Sequence, residues 1–240
     1  GNAAVGAAWI IVKTFSKKEL LFFVTFLAIC VVSGLLILEK INQSFMVKVP
    51  MQGGEISEGI LGSPRFVNPI LAFSDADKDI ISLIYSGLMR KNPEGSLIPD
   101  LAEKYEISKD NLIYTFTLKD NISFHDGKNL TIDDVIFTIE KIKDPLNKSP
   151  RKINFDGVNI EKIDNKTIKF ILKQPYASFL ENMTIGIIPK HIWDNSPLEL
   201  NEANTHPIGS GPFMLAKINK ESSGVINSYK LEKFKKFALG

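Results

Sequence analysis

Cysteine is nearly absent from this 240-residue chain, which contains only Cys30. A single cysteine excludes an intrachain disulfide and any metal site built from several thiolates. An excess of charge of one sign is also lacking, because 29 Lys and Arg residues and 27 Asp and Glu residues leave a net charge of +2. No basic patch with interleaved aromatic residues is found either, and nucleic-acid binding is therefore not predicted.

The sequence also lacks the motifs of common enzyme sites. The three histidines, His125, His191 and His206, occur in no H-x-x-x-H or H-E-x-x-H spacing and are interpreted as turn and surface residues. His125 precedes Asp126, but adjacent strand residues point to opposite faces, so this pair is interpreted as part of an Asp-Gly turn. Loop 209–211 has neither a following Gly-Lys-Ser/Thr nor the G-x-S-x-G frame. No enzyme activity, metal site or cofactor is predicted.

A long apolar run is present near the N-terminus. Residues 20–38 carry no charge, and helical residues rising ~1.5 Å each give this run a length of about 28 Å, close to the ~30 Å hydrocarbon core of a bilayer. The arm over residues 1–19 is basic, which predicts that it stays cytoplasmic, that residues 20–38 form a single-pass signal anchor, and that the remainder is extracytoplasmic.

Two alternatives to an uncleaved anchor follow from the same run. The first is a cleaved signal peptide, although the run is longer than a typical apolar core of a signal peptide and no A-x-A-like site follows it. The second is lipidation of Cys30, although bulky Ile29 precedes this cysteine and apolar residues continue beyond it. We therefore expect a protein of the cell membrane with its C-terminal domain outside the cytoplasm, at the periplasm or cell surface.

Residues 39–52 are predicted to be a linker and residues 53–240 the folded part. The clearest strand covers residues 112–118, where apolar side chains alternate with threonines. The other predicted strands cover residues 55–60, 122–125, 158–163, 167–172, 185–189, 213–218 and 225–234. The predicted helices cover residues 74–90, 99–105, 131–142, 177–183 and 189–193. Strands outnumber helices and many pair locally, which predicts a mixed α/β (α+β) fold.

A set of short motifs carries a resemblance through its order and spacing. They are VNPI at 67–70, IYSGLMR at 84–90, PDLAE at 99–103, YTFTL at 114–118, FHDG at 124–127, LTIDDV at 130–135, FT at 137–138, IIPKHIW at 187–193 and PIGSGPF at 207–213. Together they resemble peptide/nickel-type (family 5) solute-binding proteins of ABC importers, similar to oligopeptide- and dipeptide-binding receptors. The resemblance covers residues 53–234.

The resemblance implies the first lobe of a two-lobed periplasmic-binding-protein type II fold, which closes on its ligand like a clamp. A small subdomain is expected at about residues 85–178. The second lobe, with the aspartate that pairs with a peptide's amino terminus, is expected after Gly240. This sequence departs from the family's pattern at residues 231–237. Family members usually have an Asn-x-x-Tyr pattern there, whereas this chain has LEKFKKF.

The resemblance also implies where ligand binds. Phe73, Ser74 and Asp75 follow the Asn-Pro motif in a loop that lines the cleft of similar proteins, and Arg151 lies in a segment that also reaches the ligand. The alternative interpretation is that Ser74 and Asp75 cap a helix and that Arg151 is a solvated loop residue.

The expected function is binding of peptides or similar small solutes for delivery to ABC permease and ATPase subunits, without chemistry. Nickel-chelate or oligosaccharide ligands are alternatives within the family. A membrane-tethered sensor or interaction module without transport is the alternative from another class. Half of a clamp is expected to bind ligand weakly or not at all.

Overall fold

The computed structural model describes residues 16–45, 54–62, 64 and 66–239. The chain divides into two compact units, Gly1–Glu58 and Gly59–Gly240. The predictions for residues 1–15 and 46–53 lie outside the described residues.

The first unit contains helix α1, Lys17–Phe45, which is longer than the predicted run 20–38 and takes in the start of the predicted linker. At its N-terminus the backbone of Ser16 donates to Glu19 Oε2 at 2.8 Å, and the Glu19 backbone donates to Ser16 Oγ at 3.4 Å. Within Lys17–Ile41, the most apolar window of 18 residues has a mean hydropathy of 2.9, and none of that window is buried. By length and composition this helix can cross a membrane, and a signal sequence would meet the same criteria.

The predicted strand over residues 55–60 is wrong, because the described residues there form neither helix nor strand. Ile56 is 95% exposed. Without a partner strand or a buried face, the apolar residues of this segment have nothing to fix an extended pairing.

Helix α2, Asp75–Ile84, begins as predicted but ends six residues before the predicted boundary at residue 90. Ser74 is its N-cap, and Tyr85 is already extended with φ −116°. The carbonyl of Ile84 accepts a hydrogen bond from Gly211 N–H at 2.8 Å, and residues 89–91 enter a strand. Contacts with distant segments therefore end the helix before the apolar periodicity does.

Two short strands, β1 at Met89–Lys91 and β2 at Leu97–Pro99, pair antiparallel. Strand β3, Ala102–Ile107, follows directly, so the helix predicted over residues 99–105 is wrong. The backbone N–H of Asp100 donates to Leu88 O at 3.0 Å. Pairing with chain that precedes and follows this segment overrides its local helical pattern.

The main sheet contains β3, β4 (Ile113–Leu118), β6 (Thr167–Ile171) and β5 (Asn159–Lys162), in the order β3-β4-β6-β5, with every pair antiparallel. The alternation predicted for β4 is confirmed, since Tyr114, Phe116 and Leu118 are buried. The hairpin predicted over residues 158–172 is also confirmed by β5 and β6. The strand predicted at residues 122–125 is wrong. Strands β3 and β6 occupy both edges of β4, and Ser123 makes only an isolated bridge to Asn129.

Helix α3, Ile132–Lys143, shares its hydrophobic core with the sheet and confirms the predicted start and end. Thr131 and Asp134 form a capping box at its start, and Asp144 is the C-cap before a proline. The side chains that α3 buries recur at helical spacing and include Val135, Ile139 and Ile142. A 3-10 turn at Lys152–Phe155 lies between α3 and the next strand of the sheet.

Two short helices, α4 at Phe179–Asn182 and α5 at Lys190–Trp193, are confirmed. The strand predicted between them, over residues 185–189, is wrong although the segment is buried. Ile187 N–H donates to Ser86 O at 2.9 Å, and Ile188 N–H donates to Thr138 Oγ1 at 3.1 Å. These bonds go to unrelated partners, one of them a side chain, so no ladder forms.

The last predicted strands are confirmed by the antiparallel hairpin of β7, Phe213–Lys220, and β8, Ile226–Lys233. Before it, loop 209–211 packs against the end of α2. The loop bonds both ring nitrogens of His125: Gly209 N–H donates to Nδ1 at 3.3 Å, and Nε2 lies 3.1 Å from Gly211 O. Burial lowers the pKa of His125. This histidine is thus a packing residue of the junction, and its interpretation as a surface residue is wrong.

Asp126 pairs with His191 and not with its sequence neighbour His125. His191 Nε2 lies 2.7 Å from Asp126 Oδ2. Burial on its own raises the pKa of Asp126, but the bond to His191 helps to lower it overall. The pair joins the turn before α3 to helix α5, and the prediction that Asp126 and His125 do not act together is consistent with this geometry.

Candidate ligand-binding site

The loop that leads into α2 is fixed from within by Asn68. This residue is fully buried; its Oδ1 accepts from Ile70 N–H at 2.8 Å, and its backbone carbonyl accepts from Ala72 N–H at 3.0 Å. Its amide Nδ2 lies 3.4 Å from Asn204 Oδ1. Because short loop-internal bonds replace a ladder, the backbone after Asn68 turns sharply and presents Phe73 at its far end.

Phe73 is 82% exposed, an unusual position for a large apolar side chain. Its backbone is held, because Phe73 N–H donates to Asp77 Oδ2 at 3.3 Å. The same oxygen accepts from Ser74 N–H at 3.1 Å, and Ser74 Oγ accepts from Asp77 N–H at 3.1 Å. A rigid backbone with a free aromatic ring suits contact with a ligand or with another surface.

Ser74 and Asp75 have local partners. Ser74 caps α2, as the alternative interpretation expected, and Asp77 completes the capping box. Asp75 forms an exposed ion pair with Lys78 at 2.9 Å, which contributes little to stability. The sequence offers Asp75 or Asp77 as the cap of this helix, whereas the structure has Ser74 as the N-cap and Asp77 at the third helical position.

A second loop is tied to the first by Ser149. Its hydroxyl donates to Ile70 O at 2.7 Å and accepts from the backbone N–H of Arg151 at 3.3 Å. Through this one buried hydroxyl, the segment that ends at Phe73 and the segment that holds Arg151 are brought together. Ser149 was not singled out from sequence, since a serine before a proline is ordinary in loops.

The guanidinium of Arg151 is half-buried and has no carboxylate within ion-pair distance in the part of the chain that the structure describes. Its Nε is shielded from solvent without a hydrogen-bond partner among those residues. Burial lowers the pKa of Arg151. The part of the guanidinium around Nε is therefore not solvated, as a plain surface residue would be. A half-buried cation without a charged partner among the described residues favours an anionic or carbonyl-rich ligand.

The structure thus brings Phe73, Ser74 and Arg151 to two joined loops, whereas Asp75 points into an exposed ion pair. Among the described residues, no group of three or more His, Cys, Asp and Glu side chains is placed to hold a metal ion. The loops offer one aromatic surface, one half-buried cation and backbone groups, an arrangement that can bind a solute.

The family model described as "Bacterial extracellular solute-binding proteins, family 5 Middle" matches residues 96–237. The chain belongs to this family. The resemblance seen in the motifs is thereby confirmed, and the match to family 5 includes β2 to β8.

Curated relatives in family 5 include the oligopeptide-binding protein AppA of Bacillus subtilis (strain 168), 36% identical over 171 residues, which cover 68% of this chain and 32% of AppA. The dipeptide-binding protein of Escherichia coli (strain K12) is 32% identical over 189 residues, which cover 67% of this chain and 35% of that protein. The chain therefore spans about a third of the length of these relatives.

Solved structures of family members share the fold. AppA from Bacillus subtilis in complex with a nonapeptide has a TM-score of 0.71 at 33% identity, covering 80% of this chain and 38% of AppA. NikZ from Campylobacter jejuni in complex with Ni(L-His) has a TM-score of 0.66 at 33% identity, covering 77% and 36% of the two chains. The predicted fold, part of a type II solute-binding protein with mixed α/β structure, is confirmed.

Proposed function

We propose that this chain is the extracytoplasmic substrate-binding component of an ABC importer, binding peptides or similar small solutes for delivery to permease and ATPase subunits. The observation that carries the proposal is the family 5 match over residues 96–237. The relatives named above are binding proteins, which supports binding without catalysis.

The proposed site consists of the two joined loops, with Phe73, Ser74, Asp75 and Arg151 as ligand contacts. An extended peptide would be bound through backbone hydrogen bonds, with water filling the space around its side chains. Arg151 would bind a carboxylate or carbonyl of the solute, because its guanidinium is half-buried and its Nε has no hydrogen-bond partner among the described residues. Phe73 would cover an apolar part of the ligand. The small subdomain proposed at about residues 85–178 includes the main sheet and α3.

Uptake in cells tests the importer role. We expect that disruption of the gene abolishes uptake of radiolabelled peptides and that the wild-type gene restores it. The Arg151→Ala variant should restore uptake with an apparent affinity lowered about tenfold or more, because a hydrogen bond to a charged group contributes about 1.5–3 kcal/mol. The matched control is Lys152→Ala, an exposed neighbour.

Two results of this experiment would count against the proposal. Unchanged peptide uptake in the disrupted strain would contradict the importer role. Equal affinities for Arg151→Ala and Lys152→Ala would contradict only the role of Arg151 as a ligand contact and would leave the importer role standing. Labelled nickel–histidine, tested in parallel, separates a chelate importer from a peptide importer, since a structurally similar protein is described in complex with Ni(L-His).

We further propose that α1 holds the protein in the cell membrane through residues 20–38, with residues 1–19 in the cytoplasm and residues 39–52 as the linker to the binding domain, 53–240. The exposed apolar surface of Lys17–Ile41 supports this. After alkaline carbonate extraction of cells we expect the protein in the membrane pellet with the apolar run intact by mass spectrometry. A soluble product that begins after residue 38 would instead indicate a cleaved signal sequence, and a diacylglycerol adduct on Cys30 a lipoprotein.

A further inference from the structure

One edge of the main sheet is open for pairing. Strand β5 is an edge strand, bonded only to β6. Ile163 N–H donates to Thr167 O at 3.0 Å, which fixes the phase of the ladder: the backbones of Asn159 and Glu161 point towards β6, and those of Ile160 and Lys162 point away from it. No loop backbone in the described part of the chain bonds to these outward groups. They are available to an added strand.

A groove of about 620 Å³ runs beside this edge, between β5 and helix α3. The helix runs antiparallel to the strand: Asp133, near its start, pairs with Lys162 at 2.7 Å, and Lys143, its last residue, donates its ammonium to Val158 O. The groove is lined by Glu140, Lys143, Asp144, Asn159, Ile160 and Glu161.

The lining of the groove is acidic. It contains three carboxylates and one ammonium, and that ammonium is already bonded to a carbonyl. Asp144 accepts from Leu146 N–H, and Glu161 lies 3.8 Å from Lys169, whereas Glu140 has no cation within ion-pair distance among the described residues. The groove also lies at the C-terminal end of α3, where the helix dipole adds negative potential.

We propose that the β5 edge and this groove bind an extended, basic segment of a partner polypeptide. The segment adds as a strand to β5 through the outward backbone groups of Ile160 and Lys162, and its Lys or Arg side chains lie against Glu140 and the end of α3. Backbone bonds provide the affinity, and the carboxylates select a basic partner. This surface uses neither the Phe73 loop nor Arg151.

The test measures binding of a fluorescein-labelled, end-capped peptide of alternating Lys and Val to the whole 240-residue chain in detergent. Ile160→Pro removes one outward N–H without removing a ladder bond, so the sheet tolerates it while the peptide loses a hydrogen bond. We expect about tenfold weaker binding for Ile160→Pro. The matched control is Ile107→Pro on the opposite edge, β3, where the residue also lies between two ladder-bonded positions; it should bind like wild type.

Charge is tested in the same assay. We expect Glu140→Lys and added salt each to weaken binding at least tenfold, because both reduce attraction for the basic side chains. Arg151→Ala should bind as wild type, which separates this groove from the proposed solute site. The proposal is overturned if Ile160→Pro and Ile107→Pro bind equally well, or if an alternating Glu and Val peptide binds as tightly. It is also overturned if light scattering shows a dimer that Ile160→Pro dissociates, because β5 would then pair with a second copy of the chain.

Discussion

Replacing Gly209 by alanine is expected to destabilise the folded domain by about 3 kcal/mol, at the upper end of the range for overpacked positions. A Cβ at Gly209 would lie 2.1 Å from the carbonyl oxygen and 2.8 Å from the carbonyl carbon of Ile84. Both are backbone atoms at the end of α2, and that oxygen also accepts the Gly211 N–H, so neither can move without breaking the junction. The change would also displace the two backbone groups that bond His125.

Urea unfolding in detergent measures this effect through the fluorescence of buried Trp193, with Trp9 replaced by Phe so that one tryptophan reports. The matched control is Gly59→Ala, because no atom lies within 4 Å of its added Cβ and its backbone angle is ordinary. We expect that control to change the free energy of unfolding by less than about 0.5 kcal/mol. Equal effects of the two substitutions on the free energy of unfolding would show that loop 209–211 does not approach the end of α2 this closely.

Truncation of Phe116 to alanine is expected to lower the free energy of unfolding by about 3–5 kcal/mol. Phe116 is fully buried at the centre of β4, with its ring 5.8 Å from that of Tyr105 and 5.8 Å from that of Phe170. Strands on both sides of β4 therefore lose packing at once, and the surrounding rings cannot all collapse into the space that is left.

The control for Phe116 is the same substitution at exposed Phe73. Phe73→Ala removes an equally large side chain from a position that is 82% exposed, so stability should change by less than about 0.5 kcal/mol. The same urea titration compares the two variants. A similar loss for both would mean that Phe116 is not in the core or that Phe73 packs against the domain.

Elements set by local chemistry were predictable from the sequence. The alternation of β4 reads directly as one buried and one half-buried face, and Thr131 with Asp134 marks the start of α3. Asp144 before a proline marks its end. In each case the signal lies within a few residues of the element it specifies.

Elements set by distant partners were not predictable in this way. Residues 99–105 have a helical pattern but pair as strands with chain on both sides, and residues 185–189 look like a buried strand but bond to Ser86 and to the side chain of Thr138. Helix α2 ends where the backbone N–H of Gly211 donates to the carbonyl oxygen of Ile84. No short window of sequence contains both partners of any of these contacts.

The same division applies to the candidate site. The resemblance pointed to Phe73 and Arg151, but their connection depends on Ser149 bridging to Ile70, a contact across 79 positions of sequence. That the Arg151 guanidinium has no ion-pair partner is also visible only in the structure. Among the described residues, no carboxylate lies within ion-pair distance of it.

Photo-crosslinking in intact cells tests most directly whether the loop at Phe73 faces a bound peptide. A benzophenone amino acid placed at Phe73 is expected to capture a labelled peptide on irradiation, and excess unlabelled peptide should prevent this. The same probe at Ile107, which is 39% exposed at the end of β3 on the opposite edge of the main sheet from β5, should give no peptide adduct. An absent adduct at residue 73, or an equal and non-competed adduct at residue 107, would contradict the proposal that these loops form a solute-binding site.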